Sequence, residues 1–306
     1  MRMRNFELQR FAVDANTVKD ADLAKTRDVD FTLQFESNIQ TLVNMLGVTR
    51  LIPKNAGEVL KVYKVTGTLK DDGVVEEGEV IPLSKYTTTY TAVGEAKLKK
   101  WRKMTTGEAI SSKGYAQAVN DTNNKMLRHV QDKVRADFIA FLATGSSTTK
   151  GVGLQGALAQ AWGQLQVKFE DTSAQAIYFA NPLDVADYLG TAQVSLQTAF
   201  GMSYIENFLG IGTLILASDV PKGTVYATAA ENIVGYYIPV DSADMGTAFE
   251  LTADETGLIG IHTGAEYSTL GVETVVVSGV GFFAENLAGI VKATIEAPAD
   301  AAGAEE

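Results

Sequence analysis

Two strand-like runs around a turn-rich, acid-rich stretch, over residues 57–103, constrain this chain more than any other feature. Val59, Lys61, Tyr63 and Val65 alternate with Leu60, Val62 and Lys64, the two-residue period of an extended strand. Residues 67–86 mix turn formers and charge: Gly67, Lys70, Asp71, Asp72, Gly73, Glu76, Glu77, Gly78, Glu79 and Pro82. Strand-like sequence returns at 87–103, from Thr87, Thr88, Thr89, Tyr90 and Thr91 to a basic end. The pattern predicts a long hairpin. A two-stranded hairpin alone is marginal in water, and this one has little apolar material to bury against its own domain. It is expected to lean on a neighbouring chain. The inter-subunit contact then pairs the acidic tip, Asp71, Asp72, Glu76, Glu77 and Glu79, with the basic strand end, Lys97, Lys99, Lys100, Arg102 and Lys103. Such a contact orients subunits and weakens with salt. The bland alternative is a solvated loop.

Residues 1–30 carry isolated anchors, Phe6, Leu8, Phe11 and Val13, in polar sequence. They cannot form a core of their own, so an arm that orders against something else is expected. Phe31, Phe35, Ile39, Leu42, Val43 and Leu46 recur at three and four, predicting a short amphipathic helix over 31–46 that Gly47 closes. Thr105-Thr106-Gly107-Glu108 matches a capping box. From there one long helix is predicted to about Thr144, with Tyr115, Val119, Leu127, Val130, Val134, Phe138, Phe141 and Leu142 marking one buried face, and Gly145 ends it. Residues 145–153 read as a Gly/Ser/Thr loop and Leu154–Leu165 as a second helix. Strands are predicted at Ala176–Ala180, Ile211–Ala217, Thr224–Thr228 and Asn232–Pro239, two more within 247–262, and a closing pair within Glu273–Ile295, one from Val275 to Phe283 and one from Ile290 to Ile295. Pro182 opens a helix at its favoured first-turn position. The Ala/Pro/acid tail 297–306 is expected to be disordered.

Composition removes several classes of function. The chain has 306 residues and no cysteine, so thiolate chemistry and disulfides are out. Two histidines, His129 and His262, make a histidine-rich metal centre or a Ser-His-Asp triad hard to build. Both are expected to be structural, no cofactor is expected, and no Gly-x-Ser-x-Gly elbow occurs. The net charge of −11 argues against specific nucleic-acid binding. Trp101 among lysines hints at a single-strand groove, but one short run is a thin basis. No run reaches the ~18 apolar residues of a membrane span, and the basic start lacks the apolar core of a signal peptide.

Gly151-Val152-Gly153-Leu154-Gln155-Gly156 is a literal G-x-G-x-x-G, with Asp171 about twenty residues on, as a dinucleotide site would have it. That chemistry needs a strand before the glycines. Here a helix and a loop are expected before them, so the reading is a structural turn between two helices. A nucleotide-dependent enzyme using residues 151–156 stays as a distant alternative.

The order of parts is arm, short helix, long hairpin, spine helix, glycine turn, α/β lobe and closing strands. It resembles the Hong Kong 97-type major capsid fold of tailed phages and encapsulins. Gly151-Val152-Gly153-Leu154, Ile177-Tyr178-Phe179-Ala180-Asn181-Pro182 and Val277-Ser278-Gly279-Val280-Gly281-Phe282-Phe283-Ala284-Glu285-Asn286 carry the resemblance best. Leu8-Gln9-Arg10-Phe11-Ala12 also resembles starts of phage proteins from Gram-positive hosts.

The resemblance implies an α+β shell subunit and not an enzyme. Residues 1–30 would be the N-terminal arm and 57–103 the extended loop over an adjacent subunit. Residues 31–56, 104–171 and 263–296 would form the peripheral domain, 172–262 the axial domain, and 297–306 a disordered tail. It implies self-assembly through hexamers and pentamers into an icosahedral head around a phage genome. Scaffolding, portal and decoration proteins are the other partners it suggests, with double-stranded DNA met only non-specifically. The place is the virion, built in a host bacterial cytoplasm. An encapsulin-like compartment is the runner-up. Some relatives join an extended-loop lysine to an asparagine of another subunit. Lys70 or Lys85 and Asn286 are the nearest counterparts, and no acid is evidently placed to help. An arm of about 30 residues is too short for a cleaved scaffolding segment.

Overall fold

The computed structural model describes residues 48, 50–70, 73–170, 175–189, 197–199, 202–240, 243–253 and 258–297. The expected arm, the helix at 31–46 and the tail beyond 297 lie outside them.

A helix and a central strand tie the body together. Strand β6 (Ala176–Ala180) is buried at every position. Ile177 and Phe179 join one apolar cluster, while Ala176, Tyr178 and Ala180 join another. Alternation thus feeds both faces of one strand, which is why the run shows no polar residue. It is central in a seven-stranded sheet ordered β5-β16-β10-β6-β9-β8-β7. The others are β5 (Ser147–Val152), β7 (Gln197–Ala199), β8 (Met202–Phe208), β9 (Gly212–Leu216), β10 (Thr224–Ala229) and β16 (Ile290–Glu296).

A four-stranded antiparallel sheet runs β12-β13-β14-β4, from Thr252–Ala253, Ile259–Glu266, Gly271–Ser278 and Lys99–Thr106. A three-stranded sheet joins β1 (Leu51–Pro53), β11 (Ile233–Tyr237) and β15 (Gly281–Ala284). The hairpin is β2 (Val59–Thr68) with β3 (Lys85–Glu95).

Five helices are described: α1 (Gly107–Lys113), α2 (Asp121–Leu142), α3 (Gly153–Lys168), α4 (Pro182–Leu189) and α5 (Ala243–Ala248). The helix start is capped one residue later than the capping-box pattern implies: the Thr106 hydroxyl accepts from the Ala109 N–H at 3.3 Å, which puts Glu108 at the second helical position instead of the third. The single long helix does not. Gly114, at φ +80°, ends α1, and a π-helical turn at Ala116–Asn120 leads into α2. The spine is therefore 22 residues, about 33 Å at 1.5 Å per residue. Val130, Val134, Phe138, Ile139 and Leu142 bury its inner face. The Phe138 ring meets Phe179 edge-on at 5.3 Å and Phe282 at 5.1 Å, fixing the spine to two sheets at once.

Three further expectations are corrected. The stretch 147–152 is no loop but strand β5, parallel to β16 at the sheet edge, where Ser, Thr and Lys side chains are tolerated. The basic run is no hairpin arm: Ala96–Leu98 breaks the chain, and β4 pairs with β14 instead of β2. The strand expected from Val275 to Phe283 splits at Gly279, where a Cβ would press on Ile238. Strand pairing also crosses the expected domain boundaries. β5 and β16 belong to the same sheet as β6 and β10, and β13 runs through 262/263.

Candidate inter-subunit surfaces

Among the described residues the hairpin packs on the body at its base. Leu60 is buried with Val234 and Phe283, and Ile52, Val62 and Tyr236 pack around them. Beyond this the strands leave the body. Tyr63 faces Tyr90, Val65 faces Thr88 and Gly67 faces Tyr86 across the ladder, so their side chains share one face. The Tyr63 and Tyr90 rings lie 6.1 Å apart, and the Lys61 ammonium sits 5.0 Å from the Tyr90 ring centroid. Half of the large apolar side chains exposed among the described residues lie between Val59 and Tyr90. That concentration in one short segment is the property of a contact surface.

The tip carries more than its acids. Glu76, Glu77 and Glu79 are exposed, and Asp71 and Asp72 lie outside the described residues. The acids are flanked by exposed apolar residues, Val74, Val80, Ile81 and Leu83, the last three at 91%, 75% and 89% exposure. The tip is therefore an apolar patch within an acidic setting. The run Val80-Ile81-Pro82-Leu83 was the signal for it in the sequence.

The basic strand is largely committed within the chain. Lys99 donates to Asp137 at 2.7 Å and to the Val280 carbonyl at 3.2 Å, clamping β4 onto α2. Arg102 pairs with Glu273 of β14 at 3.2 Å. The half-buried Lys103 ammonium donates to the Val119 carbonyl at 3.1 Å and to the Thr122 hydroxyl. Burial pushes its pKa down to about 8. Trp101 packs against the main cluster. Lys97 and Lys100 are exposed. The pairs were invisible in sequence because Asp137 and Glu273 are far along the chain.

The glycine turn does follow a strand, β5, and opens α3. Its glycines are accounted for by packing. A Cβ on Gly151 would overlap the backbone of Gly156 and Ala157, and Gly153 turns the chain at φ +65°. His262 Nδ1 lies 3.2 Å from the Glu250 carbonyl, while His129 is exposed on α2 beside Lys125 and Arg128. Among the described residues no group of three or more His, Cys, Asp or Glu could hold a metal. No described helix is long and apolar enough to cross a membrane. Asn286 is tied down: its N–H donates to the Asn232 side chain and its own side chain accepts from the Ala288 N–H. Lys70 and Lys85 sit instead toward the hairpin tip, beside Leu69 and Leu83.

No family model matches the sequence, and no curated protein matches it. Solved structures do. The capsid of cyanophage P-SCSP1u is 7% identical, with a TM-score of 0.54 over 81% of this chain and 86% of that one. The structure of Mycobacterium phage Patience is 10% identical, with a TM-score of 0.52 over 92% and 90%. The holo-SrpI encapsulin complex of Synechococcus elongatus PCC 7942 is 10% identical, with a TM-score of 0.50 over 96% of each chain.

Proposed function

We propose that this chain, which has the Hong Kong 97-type capsid fold, is a major capsid protein that assembles into the icosahedral head shell of a phage. The observation that carries the reading is the hairpin. Its base is packed, but Tyr63, Val65, Tyr86, Tyr90 and the tip residues Val80, Ile81 and Leu83 are exposed. An apolar ribbon of this size is costly in water and gains most by covering an adjacent subunit. Repeated heterologous contacts of that kind close into a shell when they carry curvature.

In this reading the hairpin is the extended loop. The spine α2 and the four-stranded sheet form the peripheral part, and the seven-stranded sheet with α3 forms the axial part. The contact is chiefly apolar, with the acids of the tip meeting exposed cations such as Lys97 and Lys100 at its rim. The role is structural, without a reaction, and the protein resides in the virion after assembly in the host cytoplasm. Scaffolding, portal and decoration proteins join it, and packaged DNA is met non-specifically. The encapsulin match supports a second reading, a compartment around cargo protein.

Sedimentation velocity tests the proposal. Wild-type protein, with scaffold where needed, is expected as very large particles, and an Ile81→Ser/Leu83→Ser variant as folded small species. A wild type that stays monomeric at high concentration rejects it. Nucleic acid inside purified particles separates a genome shell from a cargo compartment.

A further inference from the structure

The outward face of α2 gathers cations on a chain whose net charge is −11. Val130, Val134 and Phe138 bury the inner face, while Lys125, Arg128 and His129 stand exposed on the other. Lys125 lies three residues from Arg128 and four from His129, so it neighbours both on the helix surface. The other cations of α2 are taken. Lys133 pairs with Asp137 at 3.4 Å, and Arg135 with Asp219 at 2.6 Å. Lys125 and Arg128 have no ion pair among the described residues.

Two acids share this side, Asp121 and Asp132. Asp132 is held 3.4 Å from Arg135. Asp121 sits in the first turn, where the positive end of the helix meets it. A hollow of about 320 Å³ continues the surface between α2 and β4. Trp101, Lys103, Thr122, Lys125, Met126 and His129 lie along it, and no acid is among the described residues that line it.

Exposed cations without acid partners favour an anion, and the net charge of the chain repels one elsewhere. The helix spans about 33 Å, the length of about ten base pairs of duplex. Each subunit offers about two phosphate contacts, too few to read sequence or to hold DNA tightly alone. A lattice of subunits repeats them.

We propose that Lys125, Arg128 and His129 form the surface that meets the phosphate backbone of double-stranded DNA, which turns this side of α2 toward the shell interior. The choice of partner rests on the genome-shell reading. The contact itself is measurable on unassembled protein.

The full chain is run on a double-stranded DNA column at a series of salt concentrations. Wild type is expected to be retarded at about 50 mM salt, and two phosphate contacts make binding about tenfold weaker at about 200 mM. Lys125→Gln/Arg128→Gln is expected to lose the retardation. Lys113→Gln/Lys222→Gln removes two exposed lysines elsewhere and is expected to keep it. No retardation of wild type, or equal loss in both double variants, overturns the proposal. Sedimentation velocity on the same preparations separates it from the shell reading. Lys125→Gln/Arg128→Gln is expected to sediment as wild type does. Loss of large particles from that variant alone assigns these cations to a contact between copies and overturns the proposal. Wild type that is retarded yet forms no particles supports the DNA contact and rejects the shell.

Discussion

Gly151 and Gly156 stand backbone to backbone where β5 passes into α3, so close that a Cβ on Gly151 would overlap the Gly156 carbonyl carbon. The strand and the helix can approach only because Gly151 lacks a side chain; a Cβ on Gly156 would meet Gly151 at an ordinary 3.4 Å. The same approach lets Leu154, Ala157, Leu158 and Ala161 reach the cluster under the seven-stranded sheet. A glycine pattern that suggests a phosphate site is here a packing device.

Gly151→Ala is therefore expected to destabilise the fold. The atoms it meets are backbone and cannot swing away, so overpacking is expected to cost about 1–3 kcal/mol. The urea midpoint reports it. Saturating NAD or ATP should leave the wild-type midpoint where it was, whereas a nucleotide site would raise it by mass action.

Tyr178 offers a change of the opposite sign. It is fully buried, and its hydroxyl has no hydrogen-bond partner among the described residues. A buried unsatisfied donor costs about 1–3 kcal/mol, so Tyr178→Phe should raise stability by about 1 kcal/mol after allowing for relaxation. Burial also pushes the phenol's pKa well above its ordinary range. Thermal unfolding of the two proteins side by side checks the sign.

Lys103 should give the fold a distinct alkaline response. Its pKa is lowered from 10.5 to about 8 by burial. The folded chain therefore holds fewer protons at this site than the unfolded chain between about pH 8 and 10.5. Stability from this group is lowest and flat below pH 8, then rises through that window. Unfolding midpoints of wild type and Lys103→Met are compared at pH 7 and pH 10. The wild type should gain relative to the variant on going to the higher pH.

Salt separates two pictures of the hairpin contact. Lys99, Arg102 and Lys103 are already paired within the chain, and the tip exposes Val80, Ile81 and Leu83. Assembly should then survive about 1 M salt, where the screening length is only about 3 Å. Glu76→Gln/Glu77→Gln should assemble nearly normally, while Ile81→Ser/Leu83→Ser should not. Light scattering across a salt series measures both.

Local patterns in the sequence carried a good part of the fold. The helical spacing of Val130, Val134 and Phe138 and the run Ala176–Ala180 appear where the chain uses them, and the helix cap lies one residue on, at Thr106. What escaped was non-local or edge-like. β5 hides in Ser-Thr-Thr-Lys because one side of an edge strand faces solvent. β4 looked like a hairpin arm because its true partner, β14, lies about 170 residues on. β7 and β8 carry little alternation to announce them. Gly114 was passed over inside a helical pattern, though its positive φ is what breaks the helix. At the hairpin tip the charges were the conspicuous feature, while the structure also exposes Val80, Ile81 and Leu83 beside them.

Electron cryo-microscopy of the expressed protein, with scaffold if assembly requires it, tests the central claim most directly. The account predicts closed shells in which the ribbon from Val59 to Tyr90 lies on an adjacent subunit and covers Tyr63, Tyr90 and Ile81. Persistent monomers whose hairpin is ordered on its own body would contradict it.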